Sequence, residues 1–391
     1  KYNGFDADTM DKYKVEIEQL ISGVDGIIWC SRLALTKDLI NRAGSQLKIV
    51  AAMSAGVDHI DKQELQSRGI LLSNTPEVLN DAVADVAILL ILGASRRVPE
   101  GIEDIKTGDW KVGPQKQLGR DLKGSTVGIV GLGGIGQTVA KRLQGFNVES
   151  ILYCGNREKP EGLALGAMFV SFEELLRQSD FIVVSCLLNE STTKMINAAA
   201  FDRMKKTAII VNVSRGGVID QEALINALTT KKIWAAGLDV TTPEPLPKDN
   251  PLVSLPNCCK FLLTFSTYSE THLRISQFNV FNKVFLLNTF FFFLSLGKLL
   301  KRVSLKLNQF INLTLKKFTY SYGPPPKLIA DRCSSILNIM KKKDITPLFN
   351  YLILLPHIGS ATVDTRNEMA KLATLNAILG LGGAKILTPV T

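Results

Sequence analysis

The stretch Thr126–Gly136, Thr-Val-Gly-Ile-Val-Gly-Leu-Gly-Gly-Ile-Gly, decides the predicted fold. Its first half is rich in β-branched residues and predicts a short, buried parallel strand. Gly131, Gly133 and Gly136 follow with the spacing G-x-G-x-x-G. Residues 137–143 carry apolar side chains at helical spacing, which predicts a helix. Strand, glycine turn and helix in this order are typical of a dinucleotide-binding unit.

Glycine is needed at each of the three motif positions for a different physical reason. The first permits the tight turn, the second lets a pyrophosphate approach the backbone, and the third lets helix and strand pack closely. Unpaired N–H groups at the start of a helix, with the helix dipole behind them, suit a diphosphate. We therefore expect a cofactor site at Gly131, Gly133, Gly134, Ile135 and Gly136. The alternative is a glycine-rich turn without a ligand.

Length and composition narrow the class of protein. The chain has 391 residues, enough for two domains with their own cores. Hydrophobic content of 46% and charged content of 21% are ordinary for a soluble protein. The six cysteines show no C-x-x-C pair and no metal-binding spacing, which predicts a reducing, cytosolic environment and no metal site. No signal peptide is expected at the first residues.

The net charge of +10 belongs to one segment. Residues 259–352 hold 14 Lys and Arg against 3 Asp and Glu, whereas the rest of the chain holds 32 against 33. The body of the protein is therefore nearly neutral, and we expect neither a nucleic-acid partner nor a membrane partner.

The predicted elements divide the chain into two α/β regions. Strands predicted at 24–30, 47–52 and 70–72 alternate with helices at 10–21, 36–43 and 62–67, which indicates a small parallel domain. Residues 80–96 predict one long apolar helix, buried between domains, although its length approaches that of a membrane span. From Lys123 onward a second, doubly wound sheet is predicted, with strands at 126–130, 150–154, 181–186, 208–213 and 235–240.

Residues 259–352 differ in character from the rest. Twelve of the 18 Phe fall here, among Lys, Asn, Leu and Ile, the residues of A/T-rich codons. The longest uncharged apolar run, Val284–Gly297, has about fourteen residues and is short for a membrane span of about twenty. Three interpretations stay open: translated non-coding sequence such as a retained intron, a surface insertion, or a marginal membrane hairpin.

Several further motifs occur in a fixed order along the chain. They are Met-Ser-Ala-Gly-Val-Asp-His at 53–59, Val-Ser-Arg-Gly-Gly at 213–217, Leu-Asp-Val at 238–240, Pro-Glu-Pro-Leu at 243–246 and Pro-His-Ile-Gly-Ser-Ala-Thr at 356–362. Together with the glycine motif they make the chain resemble the D-isomer-specific 2-hydroxyacid dehydrogenases, over nearly everything outside residues 259–352.

The resemblance implies a fold of two doubly wound parallel-sheet domains, with a Rossmann-type cofactor domain inserted in a flavodoxin-like substrate domain. The expected divisions are 1–79 for the first part of the substrate domain, 80–258 for the cofactor domain with its linking helix, 259–352 for an atypical insertion, and 353–391 for the return to the substrate domain. The family's first strand and helix would lie before Lys1. The atypical segment 259–352 lies between Glu244 and His357. If it forms an outward loop, closing that loop costs little free energy, since each doubling of loop length adds about 0.6 kcal/mol.

The resemblance also implies an activity. We expect a cytosolic homodimer that transfers a hydride from NADPH to small 2-keto acids, reducing glyoxylate to glycolate and hydroxypyruvate to D-glycerate. Two alternatives stay open: another dehydrogenase of the family, of the 3-phosphoglycerate or formate type, and a non-catalytic, dinucleotide-sensing co-repressor.

The family's catalytic Arg, Glu and His fall on Arg215, Glu244 and His357 by motif. An arginine fork can clamp the substrate carboxylate and polarise the adjacent ketone. A histidine is the usual proton donor near neutral pH, and a carboxylate on its other ring nitrogen fixes the tautomer and favours the charged form. The chain has only two other histidines: His272, in the atypical segment, and His59, for which a polar residue at a helix start is the simpler interpretation.

The remaining predicted site residues also follow from the resemblance. The substrate loop, whose backbone N–H groups would hold the carboxylate, is Ser54, Ala55, Gly56 and Val57, although the same residues suit a plain strand-to-helix turn. Further cofactor contacts are expected at Asn156, Arg157, Cys186, Ser214, Asp239 and Gly359, with Asp239 on the nicotinamide amide.

The choice of cofactor is predicted from an absence. An NAD enzyme of this fold places an acidic residue about 20 residues after the glycine motif, on the ribose 2′-OH. Residues 153–157 read Tyr-Cys-Gly-Asn-Arg instead, with no acid. We therefore predict NADP(H), with Arg157 on the 2′-phosphate, and keep NAD(H) as the alternative in which Arg157 is merely solvated.

Overall fold

The computed structural model describes residues 7–31, 33–110, 118–253, 258–259, 284–286 and 355–390. Within these ranges the chain forms two parallel sheets with helices on both faces. The strands are β1 Gly26–Trp29, β2 Ile49–Ala52, β3 Leu71–Ser73, β4 Thr126–Val130, β5 Ser150–Cys154, β6 Ala167–Phe169, β7 Phe181–Val184, β8 Ile209–Asn212, β9 Ala235–Leu238, β10 Cys258–Cys259 and β11 Val284–Leu286.

Eleven α-helices lie in the same ranges. They are α1 Ala7–Leu20, α2 Lys37–Ala43, α3 Lys62–Ser67, α4 Asn80–Ser95, α5 Val98–Thr107, α6 Gly134–Leu143, α7 Pro160–Ala164, α8 Phe172–Gln178, α9 Ala198–Arg203, α10 Gln221–Thr229 and α11 Val363–Leu381. Side-chain caps fix several starts: Thr36, Asp61, Ser171, Asn197, Asp220 and Thr362 each accept a hydrogen bond from a backbone N–H of the first turn.

The smaller sheet has the order β11-β1-β2-β3, with every pair parallel. All residues of β1 and β2 are buried, as expected for parallel strands covered on both faces. One face packs on the α1–α3 side around Trp29 and Ile40, and α11 packs on the other around Ala373 and Ala377. The chain thus returns to its first domain near its C-terminal end.

Strand β11 lies within the atypical segment 259–352. Its residues Val284–Leu286 pair in parallel with Gly26–Ile28 of β1. The physical reason is that an edge strand presents unpaired N–H and C=O groups, which another extended segment can satisfy. The rest of the segment between 260 and 354 lies outside the described residues.

The larger sheet has the order β10-β9-β8-β7-β4-β5-β6 and is also parallel throughout. The strand order reverses between β4 and β7, which confirms the predicted doubly wound sheet. In such sheets the crevice for a ligand lies outside the carboxyl ends of the strands at this reversal. The glycine motif follows β4 and therefore opens into that crevice.

Helix α4 is the buried helix predicted from its apolar run. Ala84, Ala87, Leu90 and Ile91 are fully buried, and α4 packs on β8, β9 and α6. Its exposed Asp81 and Asp85 both pair with one arginine of α6, Arg142. Within the described ranges, no helix combines the length and apolarity needed to cross a membrane.

Several predicted boundaries shift by one to three residues, and some elements were not predicted. Helix α6 begins at Gly134 rather than at residue 137, because the glycines themselves adopt helical geometry. The unpredicted α5, α7, α8, α9 and β6 are short or exposed; in β6, for instance, only Ala167 is buried. Short elements with mixed burial carry a weak periodic signal.

Candidate active site

The turn after β4 requires glycine at its first position. Gly131 has φ of +96°, which side chains disfavour, and a Cβ there would lie 2.7 Å from Cα of Cys186. Its N–H donates to the carbonyl of Cys154, at 3.0 Å. The turn thus lies between the ends of β5 and β7. Burial raises the pKa of Cys154 to about 12 and that of Cys186 to about 11, so both stay neutral thiols that shape the crevice.

The start of α6 forms a cradle that fits a dinucleotide diphosphate. Gly133 lies at the N-cap position, and no side chain caps the first N–H groups of the helix, which belong to Gly134, Ile135 and Gly136. A Cβ on Gly133 would meet no atom within 4 Å, so its backbone is open to a ligand. A Cβ on Gly136 would instead collide with the carbonyl oxygen of Gly131. Gly131 thus forms the tight turn, Gly133 leaves its backbone open, and Gly136 lets helix and strand pack closely, as the motif predicts.

The end of β5 carries exposed polar side chains beside this cradle. Cys154 is buried, whereas the next three residues, Gly155, Asn156 and Arg157, are all exposed. No acidic residue lies among them; the first, Glu158, comes after Arg157 and is also exposed. The arrangement leaves Asn156 and Arg157 available to an anionic group on the ribose.

Asn212 organises the turn after β8. Its side-chain oxygen accepts hydrogen bonds from the N–H of Ser214 at 3.0 Å and from the hydroxyl of Ser214 at 2.9 Å. Its amide nitrogen donates to the carbonyl of Arg215 at 2.9 Å. Ser214 is buried, and the neighbouring Arg215 directs its guanidinium away from the sheet toward the smaller domain.

The guanidinium of Arg215 meets the predicted substrate loop, residues 54–57, through an unpredicted partner, Asp58. Nε of Arg215 lies 3.0 Å from Oδ1 and 3.2 Å from Oδ2 of Asp58. Nη1 donates to the carbonyl of Ser214 at 3.0 Å, and Nη2 lies against the backbone of Gly56. The structure therefore brings Arg215 and the predicted loop together.

The carbonyl groups of that loop are tied back into the protein. The hydroxyl of Ser54 donates to the carbonyl of Gly56 at 2.8 Å, and the side chain of Asn74 donates to the carbonyl of Ala55 at 2.7 Å. The N–H of Thr75 donates to the carbonyl of Ser54 at 2.9 Å. The N–H groups of Ala55, Gly56 and Val57 donate to no acceptor in the part of the chain that the structure describes. They can serve an anion.

Asn74 is itself held by the C-terminal turn. The hydroxyl of Thr388 donates to the carbonyl of Asn74 at 2.6 Å, and the fully buried Asn376 of α11 donates to that hydroxyl at 2.8 Å. Asn376 also accepts from the N–H of Leu387, at 2.8 Å. A continuous set of hydrogen bonds thus connects α11 to the carbonyl of Ala55.

His357 and Glu244 form the second pair of the site. Nδ1 of His357 lies 3.0 Å from Oε2 of Glu244, whose Oε1 accepts from the N–H of Thr241 at 3.1 Å. His357 has φ of +55°, an uncommon conformation for a residue with a side chain. Its N–H donates to the carbonyl of Asp239 at 2.8 Å, so the loop is fixed to the end of β9.

The carboxylate of Asp239 holds the same loop. Oδ1 accepts from the N–H of Ile358 at 2.8 Å, and Oδ2 accepts from the N–H of Gly359 at 2.9 Å. Burial raises the pKa of Asp239, while the charge of His357 and the two backbone hydrogen bonds act in the opposite direction. The predicted contact with nicotinamide stays a prediction; the structure adds that both oxygens already position the loop of His357.

His59 does not begin a helix, as its sequence position suggested. It lies in the turn before Ile60, and α3 starts later, at Lys62. Burial lowers the pKa of His59, which the neighbouring Asp58 opposes and Arg215 reinforces. His59 is therefore a neutral neighbour of the arginine.

Sequence reasoning missed Asp58, Asn74 and Asn212. Asn212 left a signal, because a polar residue inside a β-branched run of a buried strand needs hydrogen-bond partners. Asp58 lies within the motif at 53–59, but nothing local shows that its partner is 157 positions away.

A family model agrees with this geometry. Residues 88–261 match the family described as "D-isomer specific 2-hydroxyacid dehydrogenase, NAD binding domain". The chain is 45% identical over 245 residues to glyoxylate reductase/hydroxypyruvate reductase of Homo sapiens, which covers 62% of this chain and 75% of the human protein. It is 43% identical over 237 residues to glyoxylate reductase of Korarchaeum cryptofilum, which covers 60% and 71% of the two chains.

Solved structures show the same similarity. A glyoxylate reductase from Paecilomyes thermophila superposes with a TM-score of 0.67 at 27% identity, covering 97% of this chain and 88% of that one. An NADPH-dependent glyoxylate/hydroxypyruvate reductase from Sinorhizobium meliloti, in complex with NADP and malonate, gives 0.66 at 26% identity and covers 96% and 87%. With this fold, this matched domain and these relatives, the chain belongs to the D-isomer-specific 2-hydroxyacid dehydrogenases, a family of oxidoreductases.

Proposed function

We propose that this protein uses NADPH to reduce glyoxylate to glycolate and hydroxypyruvate to D-glycerate. The observation that carries the proposal is the hydrogen bond between Nδ1 of His357 and Glu244, next to a strand end that presents Arg215. The human relative is named for both substrates, and the Sinorhizobium meliloti relative is described as NADPH-dependent.

Arg215 and the loop at 54–57 would hold the substrate. A 2-keto acid presents a carboxylate and a ketone oxygen side by side, and a guanidinium can donate to both. The N–H groups of Ala55, Gly56 and Val57 would complete the carboxylate site, since their carbonyls are tied elsewhere. The substrate would thus be oriented before reaction, which lowers the entropic part of the barrier.

His357 would supply the proton. With Nδ1–H donated to Glu244, the other ring nitrogen, Nε2, carries the proton that moves to the ketone oxygen. The dinucleotide, when bound, supplies the hydride that reaches the ketone carbon. Hydride and proton together convert the carbonyl group, which is the aldehyde of glyoxylate or the ketone of hydroxypyruvate, to a hydroxyl group. Glu244 holds the ring in one orientation and stabilises its positive charge before transfer.

NADPH preference is the most specific part of the proposal. Exposed Asn156 and Arg157 follow β5 where an NAD enzyme would carry an acid. We expect Arg157→Ala to lower kcat/KM for NADPH by about tenfold or more, with NADH changed by less than about twofold, because only NADPH carries the 2′-phosphate. Steady-state oxidation of both cofactors by glyoxylate measures this.

The matched control is Arg177→Ala, since Arg177 is another exposed arginine of the same domain, paired with Glu173 on α8. It should change neither cofactor. A wild-type preference for NADH would contradict the assignment of Arg157. Binding of NADPH without turnover of any 2-keto acid would favour a dinucleotide-sensing protein, and turnover of formate or phosphohydroxypyruvate alone would favour the other dehydrogenases of the family.

We further propose a cytosolic homodimer. The buried Cys154 and the half-buried Cys186 are free thiols, as in a reducing compartment. Helix α5 buries none of its residues, and Ile105 and Trp110 are exposed by 63% and 75%, which suits a surface that a second copy covers. The domain divisions at 79, 258 and 352 stay proposals, as does the view that the reaction does not need residues 259–352.

A further inference from the structure

We propose that Asp58 is a positioning residue for Arg215 and makes the substrate site select 2-keto acids with one negative charge over those with two. This inference rests on the proposed function, in which Arg215 holds the substrate carboxylate. It concerns a residue that contacts the arginine rather than the reacting atoms.

The hydrogen bonds of Arg215 fix the plane of its guanidinium. Both oxygens of Asp58 lie within 3.2 Å of Nε, and Nη1 donates to the carbonyl of Ser214. Two of the three guanidinium nitrogens, Nε and Nη1, are thereby held. Nη2 has no acceptor within the described ranges and lies at the substrate loop. Without Asp58, the side chain would be held at Nη1 alone and could turn about its stem.

Gly56 shows how closely the pair fits the loop. A Cβ on Gly56 would lie 2.9 Å from Oδ1 of Asp58 and closer still to Nη2 of Arg215. A side chain at this position would displace Asp58 or Arg215, and this close approach rather than φ favours glycine, since the φ of Gly56 is not among the positive values. Loop, carboxylate and guanidinium therefore form one packed unit, and a shift of Asp58 is transmitted to the atoms that would bind substrate.

The charge of Asp58 also sets what the site tolerates. Together with Arg215 it makes a neutral pair, and the adjacent His59 adds no charge because burial lowers its pKa. One substrate carboxylate can still bind to Nη2 and to the loop N–H groups. A second carboxylate or a phosphate near the pair would meet the negative charge of Asp58, and like charges in such a position are strongly disfavoured.

The test compares Asp58→Asn and Asp58→Ala with wild type, using NADPH with glyoxylate, which carries one charge, and oxaloacetate, which carries two. We expect kcat/KM for glyoxylate to fall about tenfold in Asp58→Asn, which keeps an acceptor, and about 100-fold in Asp58→Ala, which releases the arginine. The ratio of kcat/KM for oxaloacetate to that for glyoxylate should rise about fivefold or more in Asp58→Asn. A merely structural role would lower both substrates alike.

Asp85→Asn is the matched control, because Oδ1 of Asp85 accepts from Nε of Arg142 at 2.6 Å in a similar Asp–Arg pair away from the site. It should leave both substrates within about twofold of wild type. If Asp58→Ala also stays within that range, or if the ratio is unchanged in Asp58→Asn, the inference is overturned.

A second readout does not need turnover. The Nε–H of Arg215, assigned by its loss in Arg215→Lys, should give a slowly exchanging NMR signal in wild type and exchange about tenfold faster in Asp58→Ala, because its acceptor is gone. If this holds while wild type reduces no 2-keto acid, the proposed function fails and the positioning role stands. If wild type is active and the exchange rate of the Arg215 Nε–H is the same in Asp58→Ala as in wild type, the positioning role is overturned and the proposed function stands.

Discussion

The glycine turn after β4 depends on one continuous stretch of chain. The edge of the site formed by Arg215 and His357, with their partners Asp58 and Glu244, depends on contacts between distant stretches. The turn needs one stretch of chain, 126–136, packed against the ends of two neighbouring strands. The edge depends on two pairs whose partners lie 157 and 113 positions apart, Asp58 with Arg215 and Glu244 with His357. The glycine turn can form once its own strand and helix form. The two pairs of the edge form only when both sheets have folded together. Cofactor binding and chemistry should therefore be separable by mutation.

The largest expected effect comes from the non-local edge. His357→Gln removes the proposed proton donor, and we expect kcat for glyoxylate to fall about 1000-fold. The Kd for NADPH, measured by fluorescence titration, should stay within about twofold because the glycine turn is untouched. Glu244→Gln is the graded companion: it keeps an acceptor for Nδ1–H but not the charge, so a smaller loss is expected. Full activity of His357→Gln would show that another group donates the proton.

A second comparison is between two glycines of the turn, Gly136 and Gly133, which should affect different properties of the protein. In Gly136→Ala the new Cβ would meet the carbonyl oxygen of Gly131, so the backbone must shift and the free energy of unfolding should fall by about 1–3 kcal/mol. In Gly133→Ala the methyl group has open space, so stability should change by less than about 0.5 kcal/mol. NADPH should nevertheless bind about tenfold more weakly, because the methyl group occupies the approach of the diphosphate.

Gly145→Ala controls for this pair of variants, since a Cβ there also meets nothing within 4 Å and the residue lies past the end of α6. It should affect neither stability nor binding. Equal NADPH affinity of Gly133→Ala and wild type would mean that the diphosphate does not approach this backbone.

The smallest effect should come from the opposite end of the same sheet. Asp180 accepts from the N–H of Thr126 at 3.0 Å and from Nζ of Lys205 at 2.9 Å. Burial opposes ionisation, but these two partners lower the pKa of Asp180 below its usual value. A carboxyl with a lowered pKa stabilises the fold above the pKa of the unfolded chain, and this stability is lost as pH falls through the folded value.

We therefore expect Asp180→Asn to lower the free energy of unfolding by about 1 kcal/mol at neutral pH, and the difference from wild type to vanish well below about pH 3.9. Urea unfolding at both pH values measures it, with Asp202→Asn, from an exposed pair with Lys232, as control. Since Asp180 lies at the amino end of the strands, kcat should not change. A difference that persists in acid would point to packing rather than charge.

The difference between local signals and distant contacts also explains how far the sequence could predict the structure. The β-branched runs of β4, β7 and β8 and the glycine spacing are local signals, and the doubly wound sheet followed from them. The predicted Arg215, Glu244 and His357 came from motifs, and the structure brings Glu244 to His357 and Arg215 to the loop at 54–57.

What could not be predicted depends on distant contacts. Asp58 gains its partner only when the two sheets are folded together, and the pairing of β11 with β1 joins residues that no local pattern connects. Helix α5 was missed because it buries no face, so its apolar residues do not define the edge of a core. In each case the deciding interaction is tertiary, and periodicity reports only which side of an element is buried.

The hydrogen bonds that run from Asn376 through Thr388 and Asn74 to Ala55 have a consequence for local opening. The predicted substrate loop is bonded to Asn74, and Asn74 is bonded in turn to Thr388, so the loop and the turn at 387–388 share one anchor. Residues bonded in this way open as one cooperative unit rather than separately. The amide protons of Thr75, in the stretch after the loop, and Leu387 should accordingly exchange with solvent at a common rate. Loosening Asn376 in the core of α11 would then raise both rates together.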